Sequence, residues 1–155
     1  MNRDVSQKIT QIEKWKQSHE IIVFTNGCFD LVHVGHIQYL QKAKSLGSKL
    51  VVGINGDESV AKLKGPGRPI NDLTSRIKML ESFRFIDLVM PFYEDTPINL
   101  IEAIKPKVLV KGGDYRIENI VGSKFVIQNG GTVKSLKFVK GFSTTELIKR
   151  IKKIN

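Results

Sequence analysis

Cys28 is the only cysteine, so no disulfide can form within these 155 residues and stability has to come from an apolar core. Apolar runs are short: none approaches the roughly 18–20 residues that a membrane-spanning helix needs. Residues 1–8 are polar, with no apolar signal core behind them. Together these absences predict a cytoplasmic protein with no membrane contact. Aromatic residues make up only 8%, and no DNA- or RNA-binding motif occurs. A basic nucleic-acid-binding module, which would stack bases on exposed rings, is therefore disfavoured as a partner class. The Walker A pattern is missing, which excludes a P-loop kinase. No Cys, His and carboxylate set occurs at metal-ligand spacing, so no protein-bound metal is expected.

What the chain does have is a basic balance and a repeating pattern. Lys and Arg number 25 against 15 Asp and Glu, a formal net charge of +10, which suits anionic partners such as nucleotides and sugar phosphates. Part of the excess lies in Lys149, Arg150, Lys152 and Lys153, interleaved with Ile148, Ile151 and Ile154 at helical spacing, the pattern of a solvated helix face. The length and the 41% hydrophobic content fit one domain over residues 1–155, with residues 1–19 as a helical extension.

Short apolar, β-branched runs alternate with helical patterns, the signature of βα units. Strands are expected over 21–25, 50–54, 87–90, 107–111 and 132–136, and helices over 5–18, 35–46, 73–83, 97–104, 117–129 and 143–154. The polar, Gly- and Pro-rich stretch 62–72 reads as a long functional loop. The fold class is α/β: an open, parallel, five-stranded sheet with helices on both faces.

In such sheets ligands bind beyond the carboxyl ends of the strands, where the strand order reverses. Three polar segments leave such ends: 26–36, 55–68 and 111–115. The first contains His33-Val34-Gly35-His36, placed where a buried strand turns into a helix. A helix start offers free N–H groups and a positive dipole end to phosphate. Two imidazoles add donors for charge developing at phosphorus, and Gly35 removes a side chain where a base or ribose can lie. Near the far end, Ser143, Thr144 and Thr145 follow Gly141 at a helix start, able to cap it or to bind a β- or γ-phosphate. Lys62 and Lys64 supply mobile cations, and Arg68, between Gly67 and Pro69, a partly fixed one.

Residues 25–36, Thr25-Asn26-Gly27-Cys28-Phe29-Asp30-Leu31-Val32-His33-Val34-Gly35-His36, resemble the nucleotide-binding signature of the cytidylyltransferase-like superfamily, which has a Rossmann-like fold. Residues 141–148 are similar to its S-T-T helix-start motif. Residues 64–71, 94–97 and 110–115 resemble the adenylyltransferase domains that form ADP-heptose. The resemblance implies an adenylyltransferase acting on ATP and a sugar 1-phosphate, D-glycero-D-manno-heptose 1-phosphate, with Mg2+ carried by ATP and a separate sugar kinase as functional partner. It implies His33, His36, Lys62 and Lys64 as catalytic residues. Thr25, Asn26, Gly27, Cys28, Phe29, Asp30, Gly35, Arg84, Ser143, Thr144 and Thr145 would bind the nucleotide, and Arg68, Lys111 and Asp114 the acceptor. A homo-oligomer is the expected assembly. Arg84-Phe85-Ile86-Asp87 departs from the R-Y-V-D element of CTP-using relatives, so a glycerol-3-phosphate cytidylyltransferase is the alternative within the superfamily.

Overall fold

A computed structural model describes residues 3–137 and 141–154. Its strands are β1 (Ile22–Gly27), β2 (Lys49–Asn55), β3 (Leu88–Phe92), β4 (Val108–Gly112) and β5 (Thr132–Leu136). The helices are α1 (Arg3–Gln17), α2 (Val34–Lys44), α3 (Asp57–Lys64), α4 (Leu73–Glu81), α5 (Ile98–Ile104), α6 (Ser123–Gln128) and α7 (Thr144–Lys152). All strand pairs are parallel and the sheet order is β3-β2-β1-β4-β5. The chain thus winds outward from β1 to β3, then crosses back to β4 on the other side of β1.

Strand residues alternate between two cores. Val23 of β1 and Leu50, Val52 and Ile54 of β2 pack with Tyr39, Leu40 and Ala43 of α2 and Leu80 of α4. On the opposite face, Ile22 and Phe24 of β1 and Val51 of β2 pack with Ile12 of α1, Ile101 and Ile104 of α5 and Val126 of α6. Both faces of the central strands are covered, which is why their sequences are apolar throughout. Gly53 lets Phe24 lie across β2: a Cβ there would stand 2.8 Å from the Phe24 ring.

Three expectations are corrected. Residues 57–64, of which 62–64 were expected to be loop, form α3, with Asp57 and Glu58 in the first turn and Gly65 at φ 91° ending it. Lys62 and Lys64 therefore sit on the last turn of a helix. The helix expected over 117–129 is split into a 3-10 turn, Ile117–Asn119, and α6, because Gly122 takes φ 83° against Ile101. Finally, β1 continues through Asn26 and Gly27, which still pair with Gly53 and Ile54. Among the described residues no helix is long and apolar enough to cross a membrane.

Candidate active site

The register of β1 shapes the site. Pairing with β2 runs to Gly27, but pairing with β4 stops at Thr25 opposite Val110. Beyond that point β1 and β4 part, at the reversal of strand order, and a cleft of about 440 Å3 opens over their ends. The Lys111 ammonium donates to Asn26 Oδ1 across the gap at 3.3 Å. The walls carry Asn26, Gly27, Cys28, Phe29 and Asp30 from the end of β1, His36 and Tyr39 from α2, and Asn55 from the end of β2. Leu63 and Lys64 come from α3, Arg68 from the following loop, Asp95, Thr96 and Pro97 from beyond β3, Lys111, Gly112, Tyr115 and Val121 from β4 and the residues after it, and Thr144 and Thr145 from α7.

His33 and His36 form one unit, with ring centroids 3.9 Å apart. The His33 backbone N–H donates to His36 Nδ1 at 3.3 Å. Burial, reinforced by His33, pushes the His36 pKa down to about 4, and burial lowers that of His33 as well. Both rings are neutral at pH 7. Since His36 Nδ1 accepts, its proton resides on Nε2, leaving an N–H donor on the cleft-lining residue. His33 itself is off the wall, stacked between His36 and Phe142, and its buried Nδ1 has no hydrogen-bond partner among the described residues. Gly35 is needed for that stack: a Cβ would lie 3.0 Å from Phe142 Cβ and 3.1 Å from His33 Nδ1.

The positive charge is supplied by lysines. Burial, with Lys64 adding to it, lowers the pKa of Lys111, while Cys28 acts the other way. Burial raises that of Cys28, against the pull of Lys64, Arg76 and Lys111. The thiol stays protonated, so Cys28 serves as a neutral wall rather than a nucleophile.

Beneath the cleft, Asp30 is nearly inaccessible. It accepts from Arg68 Nε at 2.5 Å and from the backbone N–H groups of Ile70 and Asn71, while Asn71 Nδ2 donates to its carbonyl at 2.6 Å. Its burial alone would raise the pKa, but the backbone donors of Asn71 and Ile70, with Arg68, outweigh that and hold it below the usual carboxylate range. Arg76, fully buried on α4, donates to Cys28 O at 2.6 Å, to Asn71 O at 3.0 Å and to Asp57 Oδ1 at 2.7 Å. One guanidinium thus ties together the segment after β1, the loop before α4 and the start of α3.

Residues 24–150 match the cytidylyltransferase-like family. The chain belongs to that family. This nucleotidyltransferase chain is 50% identical to the bifunctional protein HldE of Alcanivorax borkumensis over 147 residues, covering 95% of the chain and 31% of that protein. It is 54% identical to HldE of Actinobacillus pleuropneumoniae serotype 5b (90% of the chain, 30% of that protein) and 52% identical to HldE of Vibrio cholerae serotype O1 (93% and 30%). It spans about a third of the length of these relatives. A crystal structure of the lipopolysaccharide core biosynthesis protein of Thermoplasma volcanium superposes with a TM-score of 0.63 at 27% identity, covering 79% of the chain and 99% of that one. The pantoate-beta-alanine ligase of Francisella tularensis shares the fold, with a TM-score of 0.55 at 16% identity over 93% of the chain and 75% of that one.

Within this cytidylyltransferase-like domain the expected residues divide. Asn26, Gly27, Cys28, Phe29, Asp30, His36, Lys64, Arg68, Lys111, Thr144 and Thr145 line the cleft, whereas Thr25, His33, Gly35, Lys62, Arg84, Asp114 and Ser143 do not. Thr25 is buried against Tyr39, their hydroxyls 2.5 Å apart. Ser143 caps α7, accepting from Glu146 N at 3.0 Å. Lys62 points to Asp95, and Arg84 and Asp114 are exposed outside the lining. Asn55, Tyr39 and Arg76 belong to the site or its support and are not among the residues expected from sequence. Asn55 was legible as the first polar residue ending a buried strand, and Tyr39 as one helical turn beyond His36. Nothing in the sequence marks Arg76.

Proposed function

We propose that this domain transfers AMP from ATP to D-glycero-D-manno-heptose 1-phosphate, giving ADP-heptose and pyrophosphate. The transfer chemistry rests on one observation: His36, its Nδ1 taken by the His33 N–H, lines a switch-point cleft together with Lys64 and Lys111. Identity of about half, over nearly the whole chain, to bifunctional HldE proteins supports the heptose acceptor. The likeness to a protein named for lipopolysaccharide core biosynthesis supports it too.

An oxygen of the acceptor phosphate attacks the α-phosphorus of ATP. The new P–O bond forms as the bond to the α,β-bridging oxygen breaks, and pyrophosphate leaves with that electron pair. A phosphate monoester is already ionised near neutral pH, so no side-chain nucleophile is required. The protein's task is to align two anions and to stabilise the charge that shifts between them. His36 donates to the transferring phosphate, with His33 orienting its ring. Lys64 and Lys111 neutralise charge from opposite walls, and the α7 start with Thr144 and Thr145 receives the departing β- and γ-phosphates. Arg68, steadied by Asp30, addresses the acceptor phosphate.

The family implies a divalent metal accompanying the nucleotide, and Mg2+ is the ion we infer. Of the two cleft carboxylates Asp30 is occupied by its donors and Asp95 stands alone, and the described residues hold no group of three metal-ligating side chains, a lining that fits a metal carried in by the nucleotide. The metal would supply charge neutralisation. The acceptor's phosphate is the product of a sugar kinase, fused or separate.

The test is a pyrophosphate-release assay crossing ATP and CTP with heptose 1-phosphate, other sugar 1-phosphates and glycerol 3-phosphate. ATP with heptose 1-phosphate is the pair expected to turn over fastest. Preferential use of CTP with glycerol 3-phosphate would replace this reading with the cytidylyltransferase one.

A further inference from the structure

Two carboxylates line the cleft, and they differ in what they have left to offer. Asp30 is saturated by Arg68 and two backbone N–H groups. Asp95 is four-fifths exposed, and its one described polar contact is the Lys62 ammonium at 3.5 Å, itself mostly exposed. An ion pair in that setting is weak and exchanges readily with solvent, so the Asp95 oxygens remain open to a ligand.

The place of Asp95 in the fold selects that ligand's chemistry. It follows β3, two strands from β1 and so roughly 10 Å across the sheet from the β1 end, at about 4.8 Å per strand. His36, Lys111 and the α7 hydroxyls lie on the β1–β4 side, and Lys64 stands between. A carboxylate repels phosphate but is a strong acceptor for hydroxyl groups. Thr96, beside it on the cleft wall, adds a hydroxyl that both donates and accepts. The segment is held in place from behind: Glu94 accepts from Tyr93 N at 3.0 Å and from Asn99 Nδ2 at 3.2 Å.

We infer that Asp95, with Thr96, is the acceptor-discriminating element of the cleft, binding sugar hydroxyls at the end of the acceptor remote from its phosphate. This rests on the reading of the acceptor as a sugar 1-phosphate. With its phosphate addressed by Arg68 and aimed at the α-phosphorus beside His36, the acceptor extends its uncharged, hydroxylated end toward β3. Lys62, its weak ion-pair partner, yields to an arriving sugar.

Steady-state kinetics of Asp95→Ala and Asp95→Asn test the assignment, with ATP and either heptose 1-phosphate or a hexose 1-phosphate of the same ring configuration that lacks the terminal carbon. Loss of a hydrogen bond to a charged group predicts a heptose 1-phosphate KM raised about tenfold or more. The KM for ATP and the melting temperature should stay near wild type, and the preference for heptose over hexose should collapse. A wild-type acceptor KM and wild-type preference in Asp95→Ala would reduce Asp95 to a surface ion pair and overturn the inference. If the unmodified protein turns over no sugar 1-phosphate at all, the underlying reading has failed and the inference falls with it. Turnover with unchanged discrimination strikes the inference alone.

Discussion

Arg68 reaches down from the loop after α3 and donates through Nε to the carboxylate of Asp30, which sits buried at the end of the segment leaving β1, 2.5 Å away. That carboxylate also collects the N–H groups of Ile70 and Asn71, so residues separated by 40 positions form one piece of wall. Removing it strands three donors in a poorly hydrated place. Asp30→Ala is expected to lose about 3 kcal/mol of stability, as for breaking a buried ion pair. Urea denaturation checks this, and an unchanged midpoint would mean that the loop is held by other contacts.

The two lysines of α3 are expected to separate. Lys64 lines the cleft, whereas Lys62 turns to Asp95 at its mouth. Losing a positioned donor to developing charge costs about 100-fold in turnover, so Lys64→Ala should lower kcat on that scale. Lys62→Ala should act on the KM for the acceptor instead. Equal losses of kcat in the two variants would contradict this division.

At the start of α7, capping and ligand binding are assigned to different hydroxyls. Ser143 makes the cap, and Ser143→Ala should cost about 1 kcal/mol of stability. Thr144 and Thr145 line the cleft. A variant carrying Thr144→Ala and Thr145→Ala should melt near the wild-type temperature while its KM for ATP rises. A large fall in melting temperature with unaltered ATP dependence would make these threonines structural.

The histidine pair makes stability depend on pH in a stated direction. His36 is held near 4 in the folded state against 6.5 in the unfolded chain. Between these values the unfolded chain binds a proton that the folded chain does not, so stability falls as pH drops through the window and is restored above it. Melting temperatures at pH 7 and pH 5 should show this decline, and His36→Asn, which cannot titrate there, should show less of it. An equal decline in both proteins would assign the effect to other groups.

Much of this site is legible in the sequence because its parts are local. A strand covered on both faces is apolar at every position, so β1 announces itself, and His33-Val34-Gly35-His36 marks the turn that follows. Helix α3 was less visible: Val60 is its one fully buried apolar residue and Leu63 is 59% exposed, so the periodicity that signals a helix is weak. Arg76 was not visible at all. Its burial depends on Cys28, Asp57 and Asn71 converging from separate segments, and on α4 it reads as one more polar residue. The packing at Gly35 is likewise invisible in the sequence, because one of the groups a Cβ there would meet, Phe142, comes from a distant segment.

Stabilisation of AMP transfer by His36, as a neutral Nε2–H donor, is tested most directly by single-turnover measurement of pyrophosphate release from ATP and heptose 1-phosphate. His36→Ala, folded by circular dichroism, should slow the step by about 100- to 1,000-fold, the effect of removing one preorganised donor. A folded His36→Ala protein that releases pyrophosphate at the wild-type rate would contradict the account.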